Sequence, residues 1–64
     1  MRRGERELRA VSAQRVAAGM GDEVELEWLR ARGWVQLMSS NYGTEWGITR
    51  AGKAVLEWLD GGVV

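Results

Sequence analysis

GWVQLMSSNYGTEWGIT, residues 33–49, reads as two short apolar runs on either side of a polar centre. Trp34 to Met38 is aromatic and β-branched, which favours a strand. Ser39-Ser40-Asn41-Tyr42-Gly43 is turn chemistry, and Thr44 to Ile48 reads as the returning strand. With period-two alternation, Val35 and Leu37 share one face with Trp46 and Ile48. The expectation is a β-hairpin over about residues 34–48, and the rest of the chain is placed around it.

Upstream, Asp22 is a candidate N-cap with Glu25 three residues on, as in a capping box. A helix is predicted from Glu23 to Arg32, with acids in its first turns, arginines in its last and Gly33 as its stop. Before it, ERELRAVSAQRVAA at residues 5–18 is rich in good helix formers, and Gly19-Met20-Gly21 punctuates its end. Downstream, Thr49 can cap a third helix from Arg50 to Leu59, with Val55, Leu56 and Leu59 on one stripe beside Gly52. The predicted order is helix, helix, β-hairpin, helix: a small α+β fold in a single domain over residues 1–64. The ends, 1–4 and 61–64, are expected to be flexible.

The tetrapeptide LEWL occurs at 26–29 and again at 56–59. In both copies the leucines stand at i and i+3 and share a helix face, and a glycine stop follows. Two units are too few for a solenoid, so the repeat reads as the grammar of two helix ends.

Composition excludes several classes of function. There is no cysteine and no histidine, which removes disulfides, thiolate metal sites and the commonest metal ligand and general base. No serine or threonine has a base to activate it, Lys53 has no nucleophile–base arrangement around it, and no phosphate-cradling glycine motif is present. A non-enzymatic protein with no catalytic residue, no metal and no cofactor is expected, with no small-molecule substrate. No apolar run suits a membrane span or a signal peptide, so a cytoplasmic location is expected. A chain of 64 residues buries only about 60% of its unfolded surface. A partner subunit is the remaining stabiliser, and a homodimer is expected.

The net charge is zero but unevenly spread: residues 1–20 carry five arginines against two glutamates, and residues 21–64 carry four cations against seven anions. Arg2, Arg6 and Arg9 stand at i, i+4 and i+7, with Arg3 adjacent. One helical face could therefore offer guanidinium groups to phosphate, or simply carry solvated charge supported by Glu5–Arg9. On the second helix, Val24, Trp28 and Ala31 form a seam distinct from the Leu26–Leu29 stripe. A tryptophan buries ~150–250 Å², about 4–6 kcal/mol at ~25 cal/mol/Å². Such a seam calls for a cover, either the N-terminal helix or a partner. Trp34 and Met38 fall on the outer face of the hairpin, Asn41 and Tyr42 at its tip. They could stack on bases or dock a protein, and Trp34 could equally pack on a helix.

From Leu26 to Leu59 the chain resembles a winged-helix domain of the MarR and PadR type. The resemblance rests on Leu26-x-x-Leu29-Arg30-Ala31-Arg32-Gly33-Trp34-Val35, the turn at 39–43, and Trp46-Gly47-Ile48-Thr49-Arg50-Ala51-Gly52-x-x-x-Leu56. It covers about half the chain. It implies a wing at the hairpin, a DNA-facing second helix and a role as a small DNA-associated transcriptional regulator or accessory factor. Arg2, Arg3, Arg6, Arg9, Asn41 and Tyr42 would then contact the nucleic acid. That second helix, however, opens with Asp22, Glu23, Glu25 and Glu27, and the wing tip carries no cation. The alternative is a protein–protein adaptor or inhibitor, as small phage proteins often are. It would use a winged-helix-like surface in which Val24, Trp28, Ala31, Trp34 and Met38 meet the partner.

Overall fold

The computed structural model describes residues 3–61. Six elements follow in order: α1 (Glu5–Ala13), β1 (Val16–Ala17), α2 (Glu23–Ala31), β2 (Val35–Ser40), β3 (Gly43–Ile48) and α3 (Arg50–Leu59). The protein is a small α+β domain of three helices and one three-stranded antiparallel sheet in the order β1-β3-β2. No helix among the described residues is long and apolar enough to cross a membrane.

The hairpin has the expected pairing. Val35 lies opposite Ile48 and Leu37 opposite Trp46, so these four side chains share a face. The connection is tighter than the five-residue turn expected from 39–43, because the strands run on to Ser40 and from Gly43 and leave only Asn41 and Tyr42 between them. Ser40 makes this possible. Its hydroxyl accepts from the Tyr42 N–H at 3.1 Å and donates to the Gly43 carbonyl at 3.0 Å. Gly43 has φ 117°, a value that L side chains rarely adopt.

The two N-caps are as the sequence suggests, but the reciprocal bond of a capping box is not made, because the Asp22 N–H donates to Glu7 Oε2 at 3.3 Å rather than to Glu25. The Asp22 carboxylate accepts from the Glu25 N–H at 3.2 Å, and the Thr49 hydroxyl accepts from the Gly52 N–H at 3.0 Å. Thr49 has a second duty, donating to the Gly33 carbonyl at 2.6 Å. It thereby ties the end of α2 to the start of α3.

The N-terminal third corrects the sequence reading. The first helix ends at Ala13 rather than residue 18, and Gln14 is fully extended. Val16 and Ala17 then pair with Trp46 and Glu45 as β1, and the Ala18 N–H continues the ladder onto the Thr44 carbonyl at 2.9 Å. Helix propensity across Val16–Ala18 amounts to tenths of a kcal/mol per residue. Satisfying the otherwise open edge of β3 outweighs it.

The core draws on every helix and on the sheet: Leu8 and Val11 of α1, Leu26 and Leu29 of α2, Val35, Trp46, and Leu56 of α3 are all buried. The i, i+3 leucines of both LEWL copies point inward, fully in α2 and less so in α3, where Leu59 is half-buried. Of the ends expected to be flexible, residues 1–2 and 62–64 lie outside the described residues. The Gly4 carbonyl accepts from the Leu8 N–H at 2.9 Å.

Candidate functional site: the tryptophan corner of α2

Leu26 and Leu29 take the inward side of α2, so Trp28 must point elsewhere. It is half-buried, and three neighbours define its surroundings. The Trp34 ring meets it edge-on, with centroids 6.0 Å apart at 78°. The Arg32 guanidinium lies 4.7 Å from the Trp28 centroid, and that of Arg3 lies 5.1 Å away. Arg3 is itself held by Glu25 at 3.3 Å. A Cβ built on Gly4 would stand 2.9 Å from Leu29 Cδ2 and 3.4 Å from Trp28 Cε3. Arg3 and Gly4, just ahead of α1, therefore lie closely over this corner. Each cation–π contact is worth about 0.5–1 kcal/mol at such partly exposed sites.

The cover is incomplete. Val24 remains 72% exposed, and Ala31 is exposed as well. Trp34 packs edge-on against Trp28 of α2 and stays partly exposed. Met38 lies apart from this corner. Its methyl group sits over Gly47, where a Cβ would collide with it. It lines a cleft of about 380 Å³ with Val11, Ser12, Gln36 and Lys53. Four of the five residues expected at a partner surface thus share α2 or its immediate flank.

The residues expected at nucleic acid are not gathered in this way. Arg2 lies outside the described residues. Arg3 is engaged by Glu25 and Trp28. Arg6 is exposed. Arg9 is drawn to the far end of the chain, with Nη2 2.8 Å from Asp60 Oδ1 and Nε 3.0 Å from Glu5 Oε2. Hydrogen bonding to Asp60 first, and to Glu5 second, raises the Arg9 guanidinium above its ordinary value. The bond from Arg9 holds the Asp60 carboxyl below the usual carboxylate range. Arg15 and Arg30 face Glu45 and Glu27 at 3.9 and 3.7 Å. At the hairpin tip Asn41 is exposed, and Tyr42 is 95% exposed.

Two surface features escaped the sequence reading. Trp58 is 63% exposed on α3, on the same side as exposed Ala51 and Ala54. The i, i+3, i+7 spacing of these three was legible in the sequence. The second feature is a cleft of about 420 Å³ between α1 and α3, lined by Arg9, Ser12, Lys53, Leu56, Glu57 and Asp60. No local pattern announces it, because it depends on how two helices far apart in sequence pack together.

Among the described residues no group of three or more carboxylates is placed to hold a metal ion. Comparison of the chain with protein-family models, with curated proteins and with solved structures gives no match.

Proposed function

We propose that this chain is a winged-helix-like, non-enzymatic adaptor that docks a protein partner through the exposed side of α2 and the Trp28–Trp34 corner. The element order and the β1-β3-β2 sheet are compatible with a winged-helix-like fold. In that arrangement α2 occupies the place of the DNA-facing helix. One observation carries the choice of partner: α2 begins with Asp22, Glu23, Glu25 and Glu27, while Arg3, Arg9, Arg15 and Arg30 are already paired with carboxylates. Phosphate affinity grows with the number of cations free to displace counterions, and these four arginines are occupied. A protein surface with an apolar contact for the exposed Val24 is the better complement.

The regulator reading keeps support from exposed Arg6 and from Tyr42 at the tip. A titration with random-sequence duplex DNA at two salt concentrations separates the two. The adaptor reading expects no shift at either salt. Binding that weakens with a salt slope of about −0.9 per phosphate contact would restore the regulator. The adaptor itself is tested in cells of the source by crosslinking. Val24→Arg should remove a partner band that the parent forms, with the melting temperature unchanged. A band indifferent to Val24→Arg would overturn the α2 surface.

A further inference from the structure

The edge of the hairpin carries an inference independent of the α2 surface. Residues on β3 alternate in the direction of their backbone groups: the Thr44 carbonyl accepts from Ala18 on the β1 side, and the Thr49 N–H donates to the Trp34 carbonyl on the β2 side. Carried along the register, this alternation turns Gln36, Met38 and Ser40 of β2 toward β3. Leu37 and Ser39 face the other way. Among the described residues, no backbone hydrogen bond outside the ladder takes up their N–H and C=O groups. Val35, also outward-directed, is only 2% exposed, so the strand edge is closed at its first residue. The open part is Gln36 to Ser40.

Exposed strand edges are commonly protected by lysine, proline or a bulge. This one has none of them. The β2–β3 register is unbroken from Val35 to Ser40, and no charged residue occurs between Gly33 and Thr44. Leu37 adds an apolar side chain, 39% exposed, at the rim where the core stops.

We propose that β2 is a self-association edge, pairing antiparallel with β2 of a second copy of this chain about a two-fold axis through Met38. The free positions favour a second copy. The axis sets Leu37 opposite Ser39 of the other chain, and Ser39 opposite Leu37, so all four outward N–H groups meet all four outward carbonyls. Antiparallel self-pairing sets a strand against its own copy, and the absence of charge removes like-charge opposition. The same register sets the tip position, Tyr42, opposite Trp34 of the second copy. The result is a continuous six-stranded sheet. Its interface is short, so the dimer forms at high concentration and is weaker than a standard-sized interface.

The substitution site follows from the same geometry. The Ser39 N–H makes no bond to β3, so Ser39→Pro removes a donor to the second copy while sparing the hairpin ladder. Ser39→Lys leaves the backbone intact and places a charge on the edge. The experiment is sedimentation of the full chain from about 10 μM to about 1 mM, a range that spans weak association, beside amide exchange. The parent should shift from monomer to dimer, with the Leu37 and Ser39 amides slowing at least about tenfold at the top concentration. Both variants should remain monomeric there with the parent's far-UV spectrum. A parent that is monomeric throughout, as it would be if the edge took only a foreign strand, overturns the proposal. So does a dimer whose Leu37 and Ser39 amides exchange as in the monomer, or a folded Ser39→Lys protein that dimerises like the parent.

Discussion

Two glycines that look alike in sequence are set apart by what surrounds them. Gly47 and Gly52 are both buried, and neither has a positive φ. A Cβ on Gly47 would meet only the methyl end of Met38, a flexible side chain that can swing away. A Cβ on Gly52 would run into the Trp34 carbonyl oxygen and lie 2.7 Å from Ile48 Cγ1. That carbonyl cannot retreat, since it accepts from the Thr49 N–H at 3.0 Å. Helix propensity alone makes glycine-to-alanine favourable by about 1 kcal/mol inside a helix. Gly52→Ala should instead destabilise by about 2–3 kcal/mol through overpacking. Gly47→Ala should stay within about 1 kcal/mol. Urea titrations of the two variants check this, and a neutral Gly52→Ala would show that α3 can slide away from β2. Thr49 is the neighbouring case. Its hydroxyl serves Gly52 and Gly33 together, so Thr49→Ala should cost about 1–2 kcal/mol, while Thr49→Ser keeps both bonds.

Between elements, the ion pair joining α1 to the end of α3 has a definite pH signature. The Asp60 carboxyl lies below its ordinary value of 3.8 because Arg9 donates to it. A carboxylate lowered in the folded state adds stability that is present above its unfolded value and lost as pH falls through the folded one. The contribution of Asp60 is therefore complete above about pH 5 and fades below about pH 4. Both partners are substantially exposed, so the effect is small and screened by salt. Melting curves of the parent and Asp60→Asn should differ slightly at pH 7 and converge near pH 2–3, the acid range in which the pair is lost. A gap that widens on acidification would exclude the Arg9–Asp60 contact. α1 contributes far more through Leu8 and Val11 than through this pair, because both are core residues.

At the scale of the whole fold, seven buried apolar residues among the described ones, drawn from the three helices and two strands, form one core. A domain this small has little stability to spare. Leu8 is completely buried, and Leu8→Ala removes about 2–5 kcal/mol, which approaches the whole. Loss of the cooperative thermal transition is expected, followed by far-UV circular dichroism and tryptophan fluorescence, which should change together in the parent. A folded Leu8→Ala protein would mean that α1 is dispensable to the core.

What local chemistry determines was legible in the residues themselves. The Asp22 and Thr49 caps and the inward leucines of both LEWL copies depend on side chains within a few positions of one another, and the hairpin pairs residues no more than thirteen apart. Periodicity and capping report such short-range preferences directly. The position of Gly52 in its Thr-x-x-Gly start was equally visible, though the reason for it, the Trp34 carbonyl, was not. Tertiary structure alone decided the rest. β1 is two residues long, too short for any period, and its hydrogen bonds come from β3, almost thirty residues on. Arg9 lies on the same helix stripe as Arg6, yet it binds Asp60, 51 positions away. Trp28 was readable as a side chain in need of a cover. That the cover is Arg3, Gly4, Arg32 and Trp34 follows from where the chain before α1 and the start of β2 converge. Such contacts join segments that carry no local mark of each other. They are selected by the burial and hydrogen bonding of the assembled chain, because only there do the groups meet out of water.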